Sequence, residues 1–124
     1  MKFGLWFEPE MVSPDSELYR KHPDWCIHAP GRRRSLCRNQ LTLDLSRGDV
    51  RQYIIKCLDD ILSNVKISYV KWDMNRHMSN LGSAMLPPER QRELPHRYML
   101  GLYDLLERLV SRYPDLLLDC LLYT

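Results

Sequence analysis

The sequence predicts an α/β fold that forms part of a (β/α)8 TIM barrel, and three observations predict it. Short apolar strands alternate with amphipathic helices. Three of the strands run into carboxylates, Glu8, Asp73 and Asp119. Long loops follow the strands, whereas short ones follow the helices. The alternation builds a parallel sheet with crossover helices. The asymmetry of the loops, with polar groups gathered at the carboxyl ends of strands, is that of a (β/α) barrel.

The elements follow in order. Phe3–Phe7 is apolar and aromatic and reads as a strand running into Glu8-Pro-Glu10. Glu8 and Glu10 either open a loop or face the same site as Asp73, and composition does not separate the two. Ser13-Pro-Asp-Ser16 starts a short helix from Asp15 to about Lys21, stopped by Pro23. No period is visible over 24–39, and Pro30-Gly31 marks a turn. Leu41–Leu43 is strand-like. Ser46 then reads as an N-cap, with Asp49 favouring the helix N-terminus. Val50, Tyr53, Ile54, Cys57, Leu58, Ile61 and Leu62 recur at spacings of three and four, the pattern of an amphipathic helix that Asn64 ends.

The next strand opens the stretch on which the chain is organised, Ile67–Arg76. It begins apolar, with Ile67, Tyr69 and Val70, and turns polar at Lys71, Asp73, Asn75 and Arg76. Residues two apart on a strand point the same way, so Lys71 and Asp73 share a face. That makes Asp73 the first candidate for chemistry, with Lys71 and Asn75 beside it. The plain alternative is an ion pair at a strand end. A loop over 77–88 leads to a second helix from about Pro88 to Tyr113, with Tyr98, Leu102, Leu105, Leu106, Leu109 and Val110 on its apolar face. Pro95 is expected to kink or split off its first turns. Leu116–Leu118 starts the last strand, which reaches Asp119.

Composition narrows the function classes. At 124 residues the chain is one domain at most. A net charge of +2 is too small to argue for a nucleic-acid partner, and Arg32-Arg33-Arg34 reads as a solvated loop. No apolar run reaches the ~18 residues of a membrane span. Acids follow closely on the apolar N-terminal segment, unlike a secretory signal. Cys26, Cys37, Cys57 and Cys120 are therefore expected to be reduced thiols in a cytoplasmic protein, and their spacing fits no zinc motif. Three strands cannot close a barrel that usually needs about 250 residues. The expectation is a piece of a larger catalytic domain, cut at both ends.

Three blocks carry a family resemblance: Gly4–Ser13, Arg38-Asn-Gln40 with Leu43-Asp44-Leu45, and Tyr69–Arg76 with its Lys-Trp-Asp-Met-Asn core. Together they resemble the microbial retaining α-galactosidases (melibiases), from Met1 to about Leu117. The resemblance implies a (β/α)8 barrel flanked by an N-terminal β-sandwich and a small C-terminal β domain. The present segment would carry the third to fifth barrel strands. It implies hydrolysis of terminal α-galactosyl residues of melibiose and raffinose-type sugars, with a galactoside as the bound partner, no cofactor, no metal, and homo-oligomeric full-length relatives. By the same matching Asp73 is the catalytic nucleophile, Lys71, Asn75 and Arg38 bind substrate, and Trp6 and Trp72 are wall or core. A retaining enzyme needs a second carboxyl about 5 Å from the nucleophile. The family's acid/base aspartate and glycine-rich sugar loop lie beyond the matched segment, where this chain reads Leu118-Asp-Cys-Leu-Leu-Tyr-Thr124. Cys37 also stands where the family has glycine. The chain alone is therefore expected to be inactive, with a non-catalytic sugar-binding remnant or a non-functional gene fragment as the alternatives.

Overall fold

Three segments with strand-like apolar runs form one parallel sheet. In the computed structural model, which describes residues 2–74 and 76–122, the strands are β1 (Gly4–Phe7), β4 (Tyr69–Met74) and β5 (Leu117–Leu122), in the order β1-β4-β5. Between them lie β2 (Met11–Val12), α1 (Glu17–Lys21), β3 (Leu41–Thr42), α2 (Gly48–Leu62) and α3 (Leu94–Arg112). The α/β class and the parallel sheet with crossover helices agree with the sequence. The described residues form an open sheet rather than a closed barrel. β3 falls where Leu41–Leu43 reads as strand-like, whereas β2 and its antiparallel pairing with β3 were not foreseen, because a two-residue strand has no period of its own.

Alternation along β4 decides which face packs. Val70, Trp72 and Met74 are buried, whereas Tyr69, Lys71 and Asp73 are half-buried on the other face. Trp72 and Met74 join the core with Val50, Ile54 and Leu58 of α2 and Tyr98, Leu102, Leu105 and Leu109 of α3. Full burial of each such aliphatic side chain is worth about 1.5–3 kcal/mol. Among the described residues no helix covers the opposite face: Trp6 is 49% exposed and Leu117 65%. Parallel sheets ordinarily cover both faces.

Several local expectations change for physical reasons. Ser46 is not the cap of α2, since its hydroxyl donates to Asp44 (2.6 Å) and Arg47 takes the cap position. Asp49 does serve the helix start, accepting from the Val50 N–H at 2.9 Å. In α1, Ser16 is the N-cap and accepts from the Tyr19 N–H, so the helix begins two residues later than expected. Tyr53 and Val110 fall outside the core, at 38% and 49% exposed. Tyr53 instead meets Trp25 edge-on at 5.7 Å. Pro95 behaves as expected: Pro88–Glu93 form a separate 3-10 turn and the proline sits in the first turn of α3, where no N–H is needed.

One glycine fixes how closely α3 approaches the segment before α2. A Cβ at Gly101 would stand 1.9 Å from the Leu45 carbonyl oxygen, a backbone atom that Arg51 also binds at 2.9 Å. Alanine's helix propensity would return about 1 kcal/mol, but overpacking against a main-chain oxygen costs roughly 1–3 kcal/mol or more. Gly101→Ala is expected to lower stability by about 1–2 kcal/mol in urea unfolding. An unchanged or raised midpoint would contradict this packing.

Candidate active site

The open face of the sheet gathers the chemistry. In the β1–β4 register Trp6 stands beside Lys71, and in the β4–β5 register Lys71 stands beside Asp119. The Trp6 indole N–H donates to Asp73 Oδ2 at 3.3 Å. The Tyr69 hydroxyl donates to Asp119 Oδ2 at 2.8 Å, which raises the tyrosine's pKa. Asp73 and Lys71 thus lie on one face, as their spacing predicted. Asp119 sits inside β5 rather than at its end and is engaged by Tyr69. Asn75 lies outside the described residues.

Arg38 sits in a tight turn. Cys37 and Gln40 exchange main-chain hydrogen bonds of 3.0 and 2.9 Å, and the two residues between them, Arg38 and Asn39, have φ of 52° and 60°. Positive φ at both central positions is the type I′ geometry, normally given to Asn-Gly. A β-carbon there costs conformational energy, so the surrounding structure must hold the turn. Arg76 does so, donating to the carbonyls of Gln40 (3.0 Å) and Ser35. The turn brings the Arg38 guanidinium to 3.6 Å from Glu8 Oε1, where Arg38 is 62% exposed and Glu8 13%. A pair this exposed adds little stability. Its effect is to tie the 37–40 turn to the end of β1.

Glu8 and Glu10 part company. Glu8 meets Arg38. Glu10 is 2% exposed, and its Oε2 accepts the Trp72 indole N–H at 2.7 Å. Burial pushes the Glu10 carboxyl up to about 7, with the neighbouring charges of Glu8 and Asp73 adding to the rise, while its own backbone N–H and Trp72 oppose it. A buried acid titrating near neutrality beside a second carboxylate is a recognised mark of a functional site. Trp72 is core, as expected. Trp6 is more than wall, because it touches Asp73. Sequence reasoning also missed Arg76 as the clamp on the Arg38 turn. These contacts join residues 36 to 67 positions apart, and no local spacing announces them.

Other candidates resolve simply. All four cysteines are free thiols, and burial raises Cys26 to about 11. Among the described residues no three His, Cys, Asp or Glu side chains gather as a metal set. No described helix is long and apolar enough to cross a membrane.

The Melibiase family profile matches residues 1–121. The chain belongs to the Melibiase family. Alpha-galactosidase AgaA of Geobacillus stearothermophilus is 62% identical over 119 residues, and Alpha-galactosidase 1 of Pediococcus pentosaceus is 56% identical. Each alignment covers 96% of this Melibiase chain and 16% of the relative, so the chain spans about a sixth of their length. A crystal structure of the Geobacillus enzyme AgaA in complex with raffinose superimposes with a TM-score of 0.93, covering 97% of this chain and 17% of that one. The alpha-galactosidase from Lactobacillus brevis, 49% identical, also gives 0.93 over 97% of this chain and 16% of that one.

The Glu10 shift has a definite sign. Its unfolded value is 4.5 and its folded value about 7, so the folded state holds the proton more tightly. The associated stability is complete below 4.5 and is lost as pH rises through about 7. The loss is on the order of 3 kcal/mol. Glu10→Gln is therefore expected to unfold at a denaturant concentration that is less pH-dependent across that window, and to exceed the natural chain in stability at alkaline pH. Parallel pH profiles for the two proteins would contradict the burial of a titrating carboxyl at Glu10.

Proposed function

We propose that this chain supplies the third to fifth strands of a (β/α)8 barrel in a retaining α-galactosidase, which removes terminal α-galactosyl residues from melibiose- and raffinose-type sugars by double displacement. The observation that carries the proposal is Asp73, held by Trp6 on the open face of a parallel sheet, with Lys71 in line with it. Asp73 is the nucleophile in this reading. Lys71 and Asn75 bind galactose hydroxyls, and Arg38, tied by its turn to Glu8 at the end of β1, adds further donors. Lys71 shares this face of the strand with Asp73, and an ammonium close to a carboxylate favours its ionised form. The raffinose complex of the Geobacillus relative supports the substrate class.

The chemistry asks for more than this segment. A general acid about 5 Å from the nucleophile must protonate the leaving oxygen. In this reading that acid, the β-sandwich and the C-terminal β domain are supplied from outside residues 1–124. No metal or cofactor takes part. A cytoplasmic setting, supported by the free thiols, and homo-oligomeric assembly of the full-length enzyme belong to the same proposal.

Grafting residues 1–119 into Geobacillus AgaA in place of its matching segment tests it. The graft is expected to hydrolyse a chromogenic α-galactoside. Asp73→Asn is expected to reduce kcat at least about a thousandfold, as loss of a nucleophile does, and the isolated 124-residue chain is expected to show no turnover. A graft that keeps its rate with Asp73→Asn would contradict the assignment, and turnover by the isolated chain would contradict the need for an outside acid.

A further inference from the structure

Two indole–carboxylate contacts meet at the end of β4, one on each face of the sheet. On the open face Trp6 donates to Asp73. On the packed face Trp72, 1% exposed, donates to Glu10 at 2.7 Å. Trp72 and Asp73 are consecutive residues, so fixing the plane of the Trp72 ring fixes the backbone from which the Asp73 side chain leaves. Glu10 is itself fixed, since its main-chain carbonyl accepts the Leu43 N–H at 2.7 Å. Its other carboxyl oxygen, Oε1, is buried with no hydrogen-bond partner among the described residues. A structural anchor for an indole needs only a neutral acceptor, such as glutamine. A carboxylate kept in its place, at a cost in stability, calls for a reason beyond packing.

We propose that Glu10 is a positioning residue of this site, acting through Trp72: its carboxylate holds the indole, and the indole sets the direction in which Asp73 is presented. The proposal rests on Asp73 being the nucleophile. When Glu10 is ionised, the Trp72 contact is charge-assisted, shorter and roughly twice as strong as a neutral one. The same negative charge, behind the strand, favours the positive charge that develops on the sugar in an oxocarbenium-like transition state. When Glu10 takes up a proton, both effects fade. Several charged or titratable groups face it. Glu8 follows β1, Asp73 lies on β4, Tyr98 on α3 and Cys120 on β5. Arg76, His77 and His96 share with Glu10 the wall of an adjoining cavity of about 520 Å³. Glu8 and Asp73 oppose the ionisation of Glu10, as burial does, and all three place its titration near neutral pH.

The test has two arms. In the full 124-residue chain labelled with ¹⁵N-tryptophan, the Trp72 indole N–H resonance is expected to titrate with a midpoint at about 7. Glu10→Gln is expected to abolish that titration while keeping a dispersed Trp72 signal, and Asp73→Asn to lower its midpoint by removing a facing negative charge. A Trp72 resonance that does not move with pH, that moves equally in Glu10→Gln, or that is never dispersed overturns the proposal. The second arm uses the graft in Geobacillus AgaA. There kcat is expected to rise through the same pH range, and Glu10→Gln to remove that limb and lower kcat roughly 3- to 10-fold, with KM within about twofold. An active graft whose pH profile Glu10→Gln leaves untouched overturns the positioning role alone. A folded graft that is inactive with Glu10 in place overturns the α-galactosidase reading, and the positioning role with it.

Discussion

The structure depends on a two-residue period in one six-residue strand. In Tyr69–Met74 the even positions are buried, Trp72 and Met74 in one core with α2 and α3, and the odd positions look across the open face. A shift of one residue would bury Lys71 and Asp73 under the helices and expose Trp72. Burying two ionisable groups without water costs several kcal/mol each unless they are well paired, so the register has no close competitor. The strand's register therefore sets both the core and the site.

Around that strand the remaining elements hold the site in shape. β1 brings Trp6 to Asp73, and the turn after it brings Glu10 under Trp72. The segment before α2 supplies the Cys37–Gln40 turn, and Arg76, just beyond β4, holds that turn down. Arg38 and Asn39 accept unfavourable φ angles so that the guanidinium reaches Glu8. Exposed apolar groups remain on the face of the sheet that lacks helices, Trp6 and Leu117 among them. That face also carries Lys71 and Asp73.

Much of this was legible in the sequence. The helical period of α2 and α3, the apolar starts of β1, β4 and β5, and the break at Pro95 are local properties, and the strand starts fall within two residues of where they were expected. Strand ends were less legible. β4 starts at Tyr69 rather than Ile67 and continues through Lys71 and Asp73 to Met74, because a parallel ladder stops where its partners stop, not where charges begin. The Ser46 cap failed because the main-chain N–H and the hydroxyl of Ser46 both donate to the buried Asp44 carboxylate, and Arg47 takes the cap position. In the site, alternation alone placed Lys71 and Asp73 together. Trp6 at Asp73, Arg76 on the Arg38 turn and Glu10 beneath Trp72 are contacts between distant segments, and they follow from the fold, not from spacing.

The central claim is that Asp73 attacks the anomeric carbon of galactose, and covalent trapping reads it directly. The AgaA graft would be incubated with an activated fluoro-galactosyl fluoride that forms, but only slowly releases, a glycosyl–enzyme ester, then digested and mapped by mass spectrometry. The account predicts a single galactosyl adduct on the peptide containing Asp73, absent in Asp73→Asn. An adduct on another carboxylate, or inactivation that leaves this peptide unmodified, would contradict it.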